Sequence, residues 1–176
     1  MSAQLQHRVS KQRQRQERLP LNVSTEDHPG VLAPAPILYA GAFLVGTLSH
    51  ELFPMPILPL GMAPLTGLAL LCSGAVLAVW SRRTMESAGT NVNPSLPATT
   101  LVITRPYGFS RNPMYMARTL LYLGLGLLVN ALCVLVALVP LLIVMHHKVI
   151  KPEERDLEAK FGEAYRQYRS RVRRWL

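Results

Sequence analysis

Apolar runs divide most of the chain into four segments, separated by short breaks. The runs cover about 36–53, 65–81, 113–129 and 131–147. Each approaches the length that a helix needs to cross the ~30 Å hydrocarbon core of a bilayer, and the last two are near its short limit. The pattern therefore predicts an all-α integral membrane protein with about four transmembrane helices.

The breaks between the runs are of two kinds. Four prolines separate the first run from the second, and proline cannot continue a helix: Pro54, Pro56, Pro59 and Pro64. Asn130 alone separates the third run from the fourth, which predicts a tight helical hairpin.

The remaining segments are polar. Residues 1–30 predict a basic, disordered cytoplasmic tail, which leaves 31–176 as a single membrane domain. Residues 84–112 form a long irregular stretch, and loops of this length are usually functional. The segment after residue 150 predicts an amphipathic helix that begins at Pro152, with one apolar face formed by Leu157, Phe161, Tyr165 and Tyr168.

Charge is segregated from the apolar runs. The chain has 176 residues, 49% hydrophobic, with a net charge of +9, yet 19–81 and 119–147 contain no Lys or Arg. This segregation is typical of membrane proteins, and the positive-inside rule places both termini and the 84–112 loop in the cytoplasm. The basic stretch before the first run is too long for a signal peptide, so we expect that run to be retained.

A basic chain also suits nucleic acid, but the sequence contains no nucleic-acid-binding motif. We therefore expect the basic segments to contact anionic membrane lipids and not nucleic acid. We predict no metal site. His146 and His147 are adjacent and point in different directions on a helix, and the two cysteines lack partners at ligand spacing.

The stretch RPYGFSRNPMYMARTLLYLG, residues 105–124, places a polar turn directly against the third run. Asn112 suits the cap position and Pro113 the first helical position, so unpaired amides at this helix start predict an anion site. Arg111 and Arg118 could add charge there, or could anchor the helix by reaching the headgroups. Glu153 and Glu154, in the first turn of the C-terminal helix, could compensate its dipole or meet a ligand.

Two of these motifs together resemble a known family. LVITRPYGFSRNPMYMA, then two apolar runs, then EERDLEAKFGEAYRQYRSRVRRW is similar to the isoprenylcysteine carboxyl methyltransferase family and its bacterial relatives among the membrane phospholipid methyltransferases. The shared signature is an LV pair, a G-P-Y turn, R-H-P-x-Y, a hydrophobic hairpin, paired glutamates and F-G-x-x-Y. The resemblance covers about 89–175, half of the chain.

The resemblance implies a membrane enzyme that uses S-adenosylmethionine, held by a cytoplasmic loop and the C-terminal helix. By motif position, the cofactor-binding residues are Thr100, Leu101, Val102, Tyr107, Asn112, Pro113, Met114, Tyr115 and Glu153. A helix start suits the methionine carboxylate, a glutamate suits the ammonium or ribose hydroxyls, and tyrosine rings suit adenine or the sulfonium.

The chain departs from the family pattern at two positions. Asn112 replaces the usual histidine and cannot titrate near neutral pH. Val149 stands where the prenylcysteine enzymes place an arginine, which indicates a different substrate unless another cation substitutes: Lys148, Lys151 or Arg155.

The expected acceptor is a lipophilic small molecule or lipid that enters from the bilayer. A carboxylate acceptor needs no general base, whereas a thiol or amine needs one, and the candidates are His147, Glu154 and Tyr165. The alternative function is a non-catalytic membrane protein that binds anionic lipid or a partner through its basic tails.

Overall fold

The computed structural model describes residues 34–59, 61–92 and 98–175. Its helices are α1 (Ala35–Leu52), α2 (Ala63–Ser87), α3 (Pro113–Leu128), α4 (Leu132–Met145) and α5 (Lys151–Arg171), and a π-helical segment, His146–Ile150, joins α4 to α5. No β-strand occurs within these ranges, which confirms the all-helical prediction for the part described. The predicted tail over 1–30 lies outside the described residues.

The predicted end of the second helix is wrong. α2 continues beyond Ser81 through Arg82 and Arg83 to Ser87. Arg82 forms an ion pair with Glu86 one turn later, at 2.7 Å. Charged residues at this spacing support a helix, so the charges do not end α2. By contrast, α1 and α3 each begin and end within one residue of the predicted bounds.

The C-terminal helix begins within one residue of the predicted start at Pro152, but it continues from the fourth run. α4, the π-helical segment and α5 follow one another without an interruption. Pro152 lies in the first turn of α5, where the wider π turn precedes it. A π turn inside a helix accommodates irregular bonding without ending the helix, so a proline at this point does not require a new start.

α2 and α3 pack antiparallel, in backbone contact. A Cβ atom on Gly67 would lie 2.8 Å from the carbonyl oxygen of Gly124, and one on Gly124 would lie 2.8 Å from that of Gly67. Seven residues after Gly67 on α2, a Cβ atom on Gly74 would lie 3.0 Å from the carbonyl oxygen of Ala117. Small residues therefore set the distance between these two helices, as is common in membrane helix pairs.

The core lies between α1, α3 and α4. The ring of Tyr122 packs edge to face against those of Tyr39 and Phe43, with centroids 6.0 and 5.8 Å apart. The hydroxyl of Tyr122 donates to the carbonyl oxygen of Val134 at 2.9 Å. The buried phenol thus has the partner that its desolvation requires.

Asn130 joins the two connections at one end of the bundle. Its Oδ1 accepts from the N–H groups of Ile57 and Leu58 at 2.9 and 3.0 Å, and its Nδ2 donates to the carbonyl oxygen of Leu58 at 2.9 Å. Its φ of +50° is a left-handed conformation that asparagine tolerates better than most residues. One side chain therefore holds the α3–α4 turn against the proline-rich connection.

We expect Asn130→Gly to lower the free energy of unfolding by about 1–3 kcal/mol, because three backbone groups lose their partner. Asn130→Ala loses the same bonds and also strains the left-handed turn, which costs about 1 kcal/mol more. Thermal denaturation in detergent, followed by circular dichroism, measures both. Equal melting of wild type and Asn130→Gly would contradict the role given to these bonds.

The outer surface of the helices is apolar. Two helical stretches within the described residues are long and apolar enough to cross a membrane: Ala63–Ser87 and Leu132–Arg171, the second of which is kinked at Gly162. Large apolar side chains face outward on α1, α2 and α4, among them Leu44, Leu48, Leu65, Val76, Val136 and Val139. These features point to a membrane protein.

Candidate functional site

The turn before α3 is held by the C-terminal part of the chain. The hydroxyl of Tyr168 in α5 donates to the carbonyl oxygen of Tyr107 at 2.7 Å. The N–H of Arg111 donates to the carbonyl oxygen of Arg173 at 3.0 Å, and the hydroxyl of Ser110 to that of Arg174 at 3.3 Å. The residues after α5 therefore run back along the start of α3.

α3 begins at the predicted residue, but the hydrogen bonds of Asn112 differ from those predicted. Asn112 occupies the cap position and Pro113 is the first helical residue. The side chain of Asn112 forms no capping bond to the amides of α3, and its Nδ2 instead donates to the carbonyl oxygen of Arg174 at 3.1 Å. Its own N–H donates to the hydroxyl oxygen of Ser110 at 3.2 Å. The N–H groups of Arg111 and Asn112 are thus engaged within the protein, and the anion site expected at the start of α3 remains a prediction.

A buried tyrosine and a partly buried glutamate meet between α3 and α5. The hydroxyl of Tyr115 donates to Oε2 of Glu153 at 2.8 Å. Burial raises the pKa of Glu153, whereas the hydrogen bond from Tyr115 and the charge of Arg118 lower it. Two residues far apart in the sequence, both named as cofactor-binding, are therefore in direct contact.

Tyr107 lies beside this pair. Its side chain is buried, and its hydroxyl has no hydrogen-bond partner among the described residues. Burial raises the pKa of Tyr107, and the nearby carboxylate of Glu153 raises it further. A buried hydroxyl without a partner is unfavourable by about 1–3 kcal/mol, so it is a candidate ligand contact. We call Tyr107, Tyr115 and Glu153 the tyrosine–glutamate cluster.

Glu154, the next residue, has a different environment. Its Oε1 lies 3.0 Å from Nη1 of Arg111, and Arg174 binds both of its oxygens, with Nε at 2.9 Å and Nη2 at 2.7 Å. The side chains of Glu154 and Arg111 are only 12% and 10% exposed. We call these three residues the glutamate–arginine clamp, because they tie the α3 start and the C-terminal segment to α5.

Two of the three candidate general bases, Glu154 and Tyr165, contact the same atom, Nη1 of Arg111. Glu154 is engaged by two arginines in the clamp. Tyr165 is 1% exposed, and its hydroxyl oxygen accepts from Nη1 of Arg111 at 3.4 Å. His147 is exposed in the π-helical segment, where its ring packs edge-on against His146 with centroids 4.9 Å apart.

The other predicted cofactor residues lie on both sides of the turn. Thr100, Leu101 and Val102 belong to no helix; Thr100 is exposed and Val102 is buried. In α3, Pro113 is buried and Met114 is partly buried. Their roles remain predictions.

The structure shows the surroundings of Asn112 and Val149, the two residues that differ from the family pattern. Asn112 is buried and bonds the C-terminal segment, a role that a neutral amide fills without titrating. Val149 is 1% exposed and belongs to the core. The cations considered as substitutes there lie outside it: Lys148 and Arg155 are exposed and Lys151 is partly buried.

Sequence reasoning missed Arg174. The sequence shows it only as one of several basic residues near the C-terminus. Its partners Glu154 and Asn112 are 20 and 62 residues away. The only available signal was the paired glutamates, which implied that a cation could be close to one of them.

Comparison with known proteins gives a family. The model of the phospholipid methyltransferase family matches residues 62–164, more than half of the chain. An uncharacterised protein of Haemophilus influenzae is similar, with 39% identity over 64 residues, which make up 36% of this chain and all of that protein. No solved structure matches the chain significantly.

Proposed function

This chain belongs to the phospholipid methyltransferase family, and we propose that it is a membrane-embedded methyltransferase that uses S-adenosylmethionine to methylate a lipophilic acceptor. The observation that carries the proposal is the tyrosine–glutamate cluster at the junction of α3 and α5. It combines the partly buried carboxylate of Glu153 with a buried hydroxyl that has no hydrogen-bond partner among the described residues. The R-N-P-x-Y stretch, which differs from the R-H-P-x-Y motif at Asn112, and the F-G-x-x-Y motif support a likeness to the isoprenylcysteine carboxyl methyltransferases within this family.

The residues of the cluster fit the polar groups of such a cofactor. Glu153 has oxygen lone pairs free beyond the bond from Tyr115, and these can accept from an ammonium or a ribose hydroxyl. Tyr107 can donate its unused hydroxyl proton. When bound, S-adenosylmethionine supplies a methyl group activated on a sulfonium. The non-helical segment over Thr100, Leu101 and Val102, with Asn112, Pro113 and Met114, would complete the binding surface.

The protein's contribution would be alignment and exclusion of water. Holding two reactants in line for displacement can supply about 7–11 kcal/mol in favourable cases. The clamp keeps the α3 start and α5 at a fixed distance, which is the geometric condition for such alignment. A lipophilic carboxylate needs no base, and for a thiol or amine the candidates are His147, Glu154 and Tyr165. Among these, His147 is the one whose side chain is exposed.

We further propose that α1, α2, α3 and α4 cross the membrane, with both termini and the clamp on the cytoplasmic side, and that 31–176 form a single domain. The outward apolar side chains of α1, α2 and α4 support this arrangement. The absence of Lys and Arg from 19–81 and 119–147 supports it as well. The partners would be membrane lipids and the acceptor.

Titration of the detergent-purified protein with S-adenosylmethionine tests the proposed function. We expect the wild type to bind S-adenosylmethionine saturably. Glu153→Gln should bind it with an affinity at least about tenfold lower, because a neutral amide cannot replace a carboxylate toward a cationic group. Tyr115→Phe, which frees Glu153 from its bond, is expected to weaken binding less.

The matched control is Glu163→Gln, which changes an exposed glutamate paired with Arg166 on the same helix. It should bind like the wild type. No saturable binding to the wild type, or equal binding to Glu153→Gln, would overturn the enzyme assignment and favour a non-catalytic protein that binds lipid or a partner through its basic segments.

A further inference from the structure

Arg118 lies on the second turn of α3, directly above one member of the tyrosine–glutamate cluster. Its Cζ is 5.2 Å from the centre of the Tyr115 ring, and its side chain is partly buried. This cation–π contact places the charged group over the ring face, but an aromatic ring offers no conventional acceptor to its N–H groups. The ring therefore positions the group without satisfying its hydrogen bonds.

The N–H donors of Arg118 are unused. It forms neither a hydrogen bond nor an ion pair with any residue in the described ranges, whereas Arg111 and Arg174 both bind Glu154. A guanidinium has five donors and stays charged at any pH the protein meets. A partly buried cation with free donors is suited to an oxyanion such as a carboxylate or a phosphate.

The charge of Arg118 is close to two members of the tyrosine–glutamate cluster. Burial raises the pKa values of Tyr107 and Glu153, and the positive charge of Arg118 opposes that rise. Arg118 and Glu153 are still not an ion pair, since their N and O atoms are not within 4.0 Å. The guanidinium thus stands beside the cluster and remains available to a ligand.

Its position along α3 indicates what that ligand is. Arg118 is the last basic residue before the stretch 119–147, which contains no Lys or Arg. The polar turn lies on one side of it and the apolar part of the bundle on the other. An amphiphile lying in the bilayer would bring its headgroup to this level, while its chains stay among the apolar helices.

We propose that Arg118 binds the oxyanion, a carboxylate or a phosphate, of an acidic lipophilic acceptor, and that it determines the selection of such acceptors. The proposal rests on the proposed function, because the bound amphiphile is a methyl acceptor only if the protein is a methyltransferase. The methionine part of the cofactor also carries a carboxylate, so the experiment must separate these two sources of the same chemistry.

The experiment measures the binding of four probes to the full chain in a neutral detergent: oleate, dioleoyl phosphatidate, oleyl alcohol and S-adenosylmethionine. We expect the wild type to bind at least one of the two anionic amphiphiles about tenfold more tightly than oleyl alcohol. Arg118→Gln should remove that preference and leave the binding of oleyl alcohol and S-adenosylmethionine within about twofold. Arg118→Lys, which keeps the charge but not the fork of donors, should retain part of it.

The matched control is Arg83→Gln, which removes one positive charge from the exposed end of α2. Arg83→Gln should keep the wild-type preference for the anionic amphiphiles, because this preference depends on the position of Arg118 and not on the total surface charge. An equal loss of preference in Arg83→Gln and Arg118→Gln would overturn the proposal.

Two further outcomes would overturn it. A wild type that binds oleate, phosphatidate and oleyl alcohol equally has no oxyanion site, whatever the variants do. A loss of S-adenosylmethionine binding in Arg118→Gln, with unchanged binding of the anionic amphiphiles, would assign Arg118 to the cofactor carboxylate. If the wild type binds no S-adenosylmethionine but its preference for the anions depends on Arg118, the proposed function fails and the oxyanion site stands.

Discussion

Glu154→Ala is expected to destabilise the protein by about 3–5 kcal/mol and to release the C-terminal segment from the start of α3. Removal of the carboxylate leaves two guanidinium groups without their counter-charge, and the side chain of one, Arg111, is 10% exposed. Breaking a buried ion pair by deleting one partner has a penalty of this size, because the remaining charge stays desolvated. Arg174 also loses both of its bonds to α5.

Two measurements check the Glu154→Ala prediction. Thermal denaturation in detergent reports the loss of stability. Limited trypsin digestion reports the release, because the backbone at Arg173 and Arg174 is hydrogen-bonded to the residues before α3 and becomes free for cleavage once the clamp opens. Glu158→Ala is the matched control: its partner Arg169 has a side chain 50% exposed, so the pair is worth at most about 1 kcal/mol. Identical melting and digestion of the two variants would show that the clamp does not hold this segment.

Gly124→Leu is expected to force α2 and α3 apart and to lower stability by about 3 kcal/mol. A Cβ atom at this position would lie 2.8 Å from the carbonyl oxygen of Gly67 and 2.9 Å from the backbone nitrogen of Leu71. Both are backbone atoms of α2 and cannot move aside as a side chain could. Insertion of carbon atoms into a packed interface typically costs about 1–3 kcal/mol, and contact with the backbone places this site at the upper end.

Gly41→Leu provides the comparison for Gly124→Leu. Nothing lies within 4 Å of a Cβ atom at Gly41, which is on the outer side of α1. Leucine forms helices better than glycine by roughly 0.8 kcal/mol, so Gly41→Leu should leave the protein as stable as the wild type or slightly more stable. Unfolding in sodium dodecyl sulfate, followed by circular dichroism, measures the difference. Equal stability of the two variants would disprove the close approach of α2 and α3.

The predictions from sequence succeeded where the signal was local. The bounds of α1 and the start of α3 followed from apolar runs and from the Asn112–Pro113 pair. The four-proline connection and the turn at Asn130 followed from residues that cannot continue a helix or that tolerate a left-handed backbone. Each of these features depends on neighbours along the chain.

The differences at the helix bounds arose because the charges of Arg82 and Arg83 were taken as a helix end and Pro152 was taken as a new helix start. Arg82 and Arg83 mark where apolar composition stops, but a helix continues as long as its own bonds are made. Pro152 was taken as a helix start, and the π-helical segment before it made a break unnecessary. Composition locates a boundary between environments, and that boundary need not coincide with the end of a helix.

Part of the candidate site was predicted, but from the family resemblance and not from local sequence signals. Tyr115 and Glu153 were named from the family resemblance, and no spacing in the sequence indicated that they would touch. The return of the C-terminal segment onto Ser110 and Asn112 spans more than 60 residues of chain. Such contacts depend on how the helices pack in space, so the role of Arg174 could not be derived from the sequence.

The uninterrupted passage from α4 into α5 has a mechanical consequence. Glu153 and Glu154 lie in the first turn of α5, on a helix that, if α4 crosses the bilayer as we propose, begins on the opposite side of the membrane. A helix adjusts its tilt to bilayer thickness. Because no flexible linker intervenes, a change in that tilt would displace both carboxylates relative to the start of α3, with the π turn as the place where the helix bends most readily. Lipid chain length would thereby control how closely the two halves of the site approach each other.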